Sequence, residues 1–138
     1  MPKIAIRYCT QTGHSKALAE AIAEALETEA LDISAGLDEP VDQLFLCSGM
    51  YAFSLDKRLI GFLETHGKDA GEIVSVCSSA SGRSTRKALQ KVTDRLGLAL
   101  SGHEFCCRGA FHILSKGHPD GEDLRAAANF AILTAKRR

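Results

Sequence analysis

Residues 3–26, KIAIRYCTQTGHSKALAEAIAEAL, decide the fold. Lys3 to Tyr8 alternates apolar and polar residues, the period of a half-buried strand. Cys9 to Ser15 turns polar, and Leu18, Ile22 and Leu26 then recur at every fourth residue among alanines, the spacing of a helical stripe. A strand that runs through a short polar turn straight into a helix is the opening half of a parallel crossover unit.

The same alternation continues along the chain. Ala30–Ile33 is a short second strand candidate, and residues 36–40 form a loop before Val41–Cys47 (VDQLFLC), whose continuous apolar run is what a sheet covered on both faces demands. Leu55, Leu59, Phe62 and Leu63 mark a second helix that Gly67 is placed to end. Ile73–Cys77 (IVSVC) is a fourth strand; Leu89, Val92 and Leu96 follow in a helix with Ser84 as candidate cap and Gly97 at its close. A less regular fifth strand lies within Leu98–Cys107, and after a long connection Leu124, Ala128, Ala131 and Ala135 line one face of a last helix, with Asp120 as its candidate cap. Strands alternating with helices predict an α/β fold: a doubly wound, five-stranded parallel sheet of order 2-1-3-4-5 with helices on both faces, the whole of residues 1–138 forming one domain. The link between the second and third strands is the one place where no helix is visible.

Composition narrows the function. Seventeen basic and seventeen acidic residues cancel, which argues against a nucleic-acid binder or a polyanionic tail. No apolar run reaches the roughly 20 residues of a membrane-spanning helix, and Met1-Pro2-Lys3-Ile4 enters a strand with no signal-peptide pattern, so a cytoplasmic protein is expected, with no membrane partner and a monomer as the default. Five cysteines are an odd number without a CxxC pair; Cys106 and Cys107 with His112 and His118 match no standard zinc spacing, and no metal is expected. Cys9, Cys47 and Cys77 close the first, third and fourth strands, where they either cluster beneath the loops or pack as small buried residues. The closing Lys136-Arg137-Arg138 suits the carboxyl end of a helix dipole.

In a doubly wound sheet, ligands bind at the carboxyl ends of the strands near the switch point between strands 1 and 3. Three loops lie there. The first, Thr10-Gln11-Thr12-Gly13-His14-Ser15, joins strand to helix; unpaired N–H groups, the helix dipole and three hydroxyls favour an anion, and Gly13 permits close approach of backbone. It contains no Lys or Arg and is not a Walker loop. This segment resembles the T-x-T-G-x-[ST] phosphate loop of the flavodoxin family, and the length and element order resemble a short-chain flavodoxin over nearly the whole chain. The resemblance implies an FMN-binding electron carrier, passing electrons between a reductase and an acceptor enzyme, with Thr10 to Ser15 holding the FMN phosphate. It is then a carrier rather than an enzyme in its own right, because the flavin does the redox chemistry.

By the same resemblance the second loop, from Ser48 and Gly49 through Met50 and Tyr51 to Phe53, packs on the flavin ring, with Gly49 matching the residue whose peptide rotates when the flavin gains a proton. The third loop, Ser78-Ser79-Ala80-Ser81-Gly82-Arg83, departs from the family pattern: it has neither the usual aromatic nor an acidic residue, and the chain has no Trp. Ser78, Ser79, Ser81 and Gly82 remain candidate flavin contacts. Two alternatives stand beside this reading. Cys77 through Arg83 and Ser84 has the C-x5-R-[ST] spacing of a phosphate-ester enzyme, in which a thiolate attacks phosphorus and an arginine clamps its oxygens, but Val76 precedes the cysteine where such enzymes usually carry His. The other is a flavin-free interaction domain of the same fold.

Overall fold

The computed structural model describes residues 3–9, 14–49, 57–78, 86–107 and 121–135. Five strands, β1 (Ile4–Tyr8), β2 (Ala30–Asp32), β3 (Gln43–Gly49), β4 (Ile73–Ser78) and β5 (Leu100–Cys107), alternate with four helices, α1 (His14–Ala25), α2 (Lys57–His66), α3 (Arg86–Leu96) and α4 (Gly121–Thr134). All neighbouring strands pair in parallel, in the order β2-β1-β3-β4-β5. This is the doubly wound sheet expected from the alternation of elements.

Sequence period explains how the two faces are covered. In β1, Ala5 faces one side and Ile6 the other; in β3, Leu44 and Leu46 face one side, Phe45 and Cys47 the other. Ile6, Phe45, Val74 and Val76 pack beneath Leu18 and Ile22 of α1 and Ala127 and Ala131 of α4. Ala5, Leu44, Leu46 and Ile73 pack beneath Leu59, Phe62 and Leu63 of α2 and Leu89 and Val92 of α3. Leu44 to Cys47 are wholly buried in succession, because β3 is sandwiched between both layers. Each fully buried Leu or Ile here contributes about 1.5–3 kcal/mol.

Several details correct the sequence reading. Between β2 and β3 the chain makes only a single 3-10 turn, Ile33–Ala35, capped by Asp32, whose carboxylate accepts from Ser34 N at 2.8 Å. Arg7 holds the exit of this turn, donating from Nε to the Gly36 carbonyl at 2.8 Å. Val41, expected in the third strand, makes just one bridge, to Ala70; the ladder begins at Gln43 and continues through Ser48 and Gly49, which read as loop because they are polar and small. Ser78 likewise belongs to β4. Pairing uses backbone groups, so the composition of a strand end does not betray it. Gly67 does not end α2 by a left-handed cap: a Cβ there would lie 2.5 Å from Leu98 Cδ1, so its smallness serves close packing. Gly97 does act as a left-handed cap for α3, at φ +70°, with Leu98 N donating to Thr93 O at 2.8 Å and Gly97 N to Asp94 O at 3.3 Å. Glu27 serves the same purpose after α1 at φ 57°. The buried line of α4 runs through Ala127 and Ala131; Ala128 and Ala135 are half-buried beside it. The candidate caps Ser84 and Asp120 lie outside the described residues.

The amino-terminal edge of the sheet is closed by polar ties. Asp42 N donates to Lys3 O at 2.8 Å, while Lys3 N donates to Asp42 Oδ2 at 2.6 Å. The buried Gln43 amide donates to Glu72 Oε1 at 3.1 Å and to the Thr134 carbonyl at 3.0 Å, which fixes the last turn of α4 to the central strand. Among the described residues no helix is long and apolar enough to cross a membrane.

Candidate functional site

The opposite edge is where the strands end and three helices begin. β1 and β3 lie side by side there, with Tyr8 in register with Cys47, and Cys9 N continues the ladder by donating to Cys47 O at 2.9 Å. β3 and β4 continue with Ser48 opposite Cys77 and Gly49 opposite Ser78. The chain leaves β1 for one face and β3 for the other, so this is the switch point at which a doubly wound sheet opens a crevice.

The candidate residues divide in two. His14 and Ser15 open α1, so Ser15 sits within the first turn and not at the cap position; Ser48, Gly49 and Ser78 end β3 and β4. These five converge on one edge through adjacent strands and the helix between them. Thr10, Gln11, Thr12, Gly13, Met50, Tyr51, Ser79, Ser81 and Gly82 lie outside the described residues, as does Arg83.

Ser48 has the most informative environment. It is 2% exposed, and its hydroxyl has no hydrogen-bond partner among the described residues. A buried hydroxyl left in this state costs about 1–3 kcal/mol. Such an atom at the mouth of a crevice is what a polar ligand would satisfy.

The three helix starts carry a second signal that motif reading missed. Carboxylates are normally favoured in a first turn, where they meet the positive end of the helix dipole. None occurs in the first turn of α1, α2 or α3. These turns instead hold Lys16, Lys57 with Arg58, and Arg86 with Lys87. No first-turn carboxylate therefore offsets the dipoles of α1, α2 and α3. Only α4, which follows β5, starts with acids, Glu122 and Asp123. Counting charges turn by turn along the predicted helices would have found this; the net charge of zero hides it. The edge suits an anion, and one basic residue, Lys16, follows the neutral phosphate loop expected from sequence within one helical turn.

The three thiols do not share one face of the sheet. Cys9 and Cys47 belong to opposite core layers because they fall on opposite phases of the strand alternation. Cys77 is in register with Ser48, which stands between it and the end of β1. All three are buried. Burial pushes the Cys47 thiol pKa up, so it stays protonated and inert. Cys77 exposes no surface at all, which gives a phosphate ester no approach to its sulfur and argues against the C-x5-R reading. Among the described residues no group of three or more His, Cys, Asp or Glu could hold a metal ion.

No protein-family model and no curated protein sequence matches the chain. Solved structures do. The fold is similar to a flavodoxin from the domain Archaea, at 13% identity and TM-score 0.68 over 94% of both chains. It is similar to oxidised flavodoxin 2 from Bacillus cereus, at 17% identity and TM-score 0.67 over 94% of this chain and 95% of that one. It also matches part of the rubredoxin:oxygen oxidoreductase of Desulfovibrio gigas, at 14% identity and TM-score 0.71, covering 94% of this chain and 34% of that one. The architecture is the flavodoxin-like fold.

Proposed function

From a flavodoxin-like fold whose first three helices start without a carboxylate at the carboxyl edge of the sheet, we propose that the protein binds FMN at that edge and carries electrons between a reductase and an acceptor enzyme. The observation that carries this reading is that α1, α2 and α3, none with a carboxylate in its first turn, start after β1, β3 and β4 at the carboxyl edge of the sheet. The partnerless Ser48 hydroxyl supports it, since FMN offers polar ring atoms and ribityl hydroxyls to such a group.

In this reading Thr10 to Ser15 hold the phosphate through backbone N–H groups and hydroxyls, at the positive end of α1. Lys16 adds long-range attraction without having to touch the anion. Ser48 orients the flavin from the end of β3, and Gly49 gives its peptide two accessible conformations. Met50 and Tyr51 cover the ring, while Ser78, Ser79, Ser81 and Gly82 line its other side. Bound FMN supplies one- and two-electron redox chemistry; the side chains bind it, exclude water and set the charge around it. The basic surroundings favour a reduced, anionic flavin more than an acidic edge would. Residues 1–138 act as one domain in this role.

The test is the visible spectrum after incubation with FMN and gel filtration. Flavin retained near one per chain, and lost from a Thr12→Val, Ser15→Ala double variant, is the expected result. No binding by the wild type, with fluorescence titration also silent, removes the carrier reading. Flavin retained undiminished by the double variant moves the phosphate away from α1.

A further inference from the structure

The net charge of zero conceals a segregation of charge along the strand direction. At the amino-terminal edge of the sheet, β2, β3 and β4 are each entered from a carboxylate, Glu29, Asp42 and Glu72. Lys3, which enters β1, is paired there with Glu39 at 2.8 Å. At the carboxyl edge, α1, α2 and α3 each carry a lysine in the first turn, Lys16, Lys57 and Lys87. All three lysines are exposed, and none has an ion pair among the described residues. The connections that follow β1, β3 and β4 do not offset them: in sequence they hold one acid, Asp56, and one base, Arg83. Helix energetics does not account for these lysines, because a first turn is stabilised by carboxylates and destabilised by cations. A local rule broken in three successive helices points to an interaction outside the fold. A single phosphate is too small for it. α1 packs on one face of the sheet and α2 and α3 on the other, so the axes of the two layers stand about 20 Å apart. Lys16 is thus on one side of the crevice, and Lys57 and Lys87 are on the other.

We propose that this rim docks a carboxylate-rich surface of a partner protein. The partner's redox role, as reductase or acceptor enzyme, rests on the carrier reading; its charge rests on the lysines. Complementary charge brings such a surface to the crevice mouth, and the carboxylates at the amino-terminal edge repel it from the opposite end. The two signs together orient a chain of zero net charge before contact. Among the four helices α4 alone has an acidic start, Glu122 and Asp123, so the basic rim is confined to α1, α2 and α3. A nucleic acid is a poorer match, since a phosphate backbone engages a continuous basic stripe on a basic domain.

Two readouts test it, one of them independent of flavin. The isotope-labelled whole chain is titrated with poly-L-glutamate at low salt and followed by amide NMR. Shifts at the starts of α1, α2 and α3 are expected, with affinity about tenfold weaker in a Lys57→Glu, Lys87→Glu double variant. Both substitutions place acids where the helix dipole favours them, so the variant is expected to melt no lower than wild type. The flavin-loaded, reduced protein is then oxidised in stopped flow by ferricyanide, a trianion, or by hexaammineruthenium(III), a trication, each accepting one electron. Raising salt from about 0.01 M to about 0.15 M shortens the screening length from about 30 Å to about 8 Å. The rate per bound flavin is expected to fall about threefold or more with ferricyanide and to rise with ruthenium, and the double variant to reverse both trends. Amide shifts that are absent or confined to the amino-terminal edge overturn the proposal, as do salt trends of the opposite sign. Tighter binding of an oligothymidylate than of polyglutamate of equal charge also overturns it, in favour of a nucleic acid. A chain that retains no flavin removes the carrier reading alone, and the polyglutamate titration still upholds or overturns the acidic docking surface.

Discussion

Ser48→Ala separates the cost of a buried orphan from its use. The hydroxyl is 2% exposed and has no hydrogen-bond partner among the described residues, so in the ligand-free protein it contributes only its desolvation penalty. Removing it relieves about 1–2 kcal/mol and leaves a void the size of one oxygen atom. The ligand-free variant should therefore melt about 3–7 °C higher than wild type. The same hydroxyl, if flavin satisfies it, is lost from the complex. FMN affinity should then fall about 5–30-fold, since the relief gained without ligand is no longer available on binding. Differential scanning of both proteins, with and without saturating FMN, reads the first effect, and fluorescence titration reads the second. The two must have opposite signs. A variant that melts lower without ligand and binds FMN as well as wild type would show that Ser48 is satisfied within the protein, and the argument from its orphaned state would fail.

Other expectations rest on independent features. The Cys47 thiol pKa is raised by burial, so the folded chain keeps a proton that the unfolded chain loses above about pH 8.5; stability due to this group is intact below that pH and falls by about 1.4 kcal/mol per pH unit above it. Denaturant titrations of wild type and Cys47→Ala at pH 7 and pH 10 check this, the slope being shallower in the variant. Glu27→Gly should raise stability by about 1 kcal/mol, because a non-glycine residue at φ 57° pays for a left-handed cap that glycine adopts without strain. Urea unfolding with an unchanged m-value measures it. Gly36→Ala should destabilise by about 2–3 kcal/mol, since the backbone is at φ +63° and a Cβ would meet His66 Nε2 at 2.7 Å, where the ring already packs on Phe62 with centroids 5.4 Å apart. A melt like that of wild type would mean the imidazole moves aside.

The sheet was legible because its signals are local and repeated. The strand of residues 3–8 and the stripe Leu18, Ile22, Leu26 each have a clear period, and the VDQLFLC run announces a strand buried on both sides. The ends of β3 and β4 were not legible, because Ser48, Gly49 and Ser78 have loop composition and acquire strand geometry from their neighbours' backbones. The role of Gly67 depends on Leu98, 31 positions away, which no local pattern contains. The separation of Cys9 from Cys47 was available by counting alternation along two registered strands. At the site, motif spacing pointed to the carboxyl edge of the sheet, where Ser48, Gly49 and Ser78 end their strands. The basic first turns and the orphaned Ser48 hydroxyl needed, respectively, helix boundaries and burial to be recognised.

The tie between Gln43 and the Thr134 carbonyl has a practical consequence for handling the protein. It anchors the outgoing chain at the far end of β3 from the crevice, a separation of about 20 Å along a strand of seven residues. A reporter domain, affinity handle or surface tether joined after the last helix therefore follows a turn held at the closed end of the sheet. The crevice would face away from such an attachment, and an immobilised molecule would present it to solution.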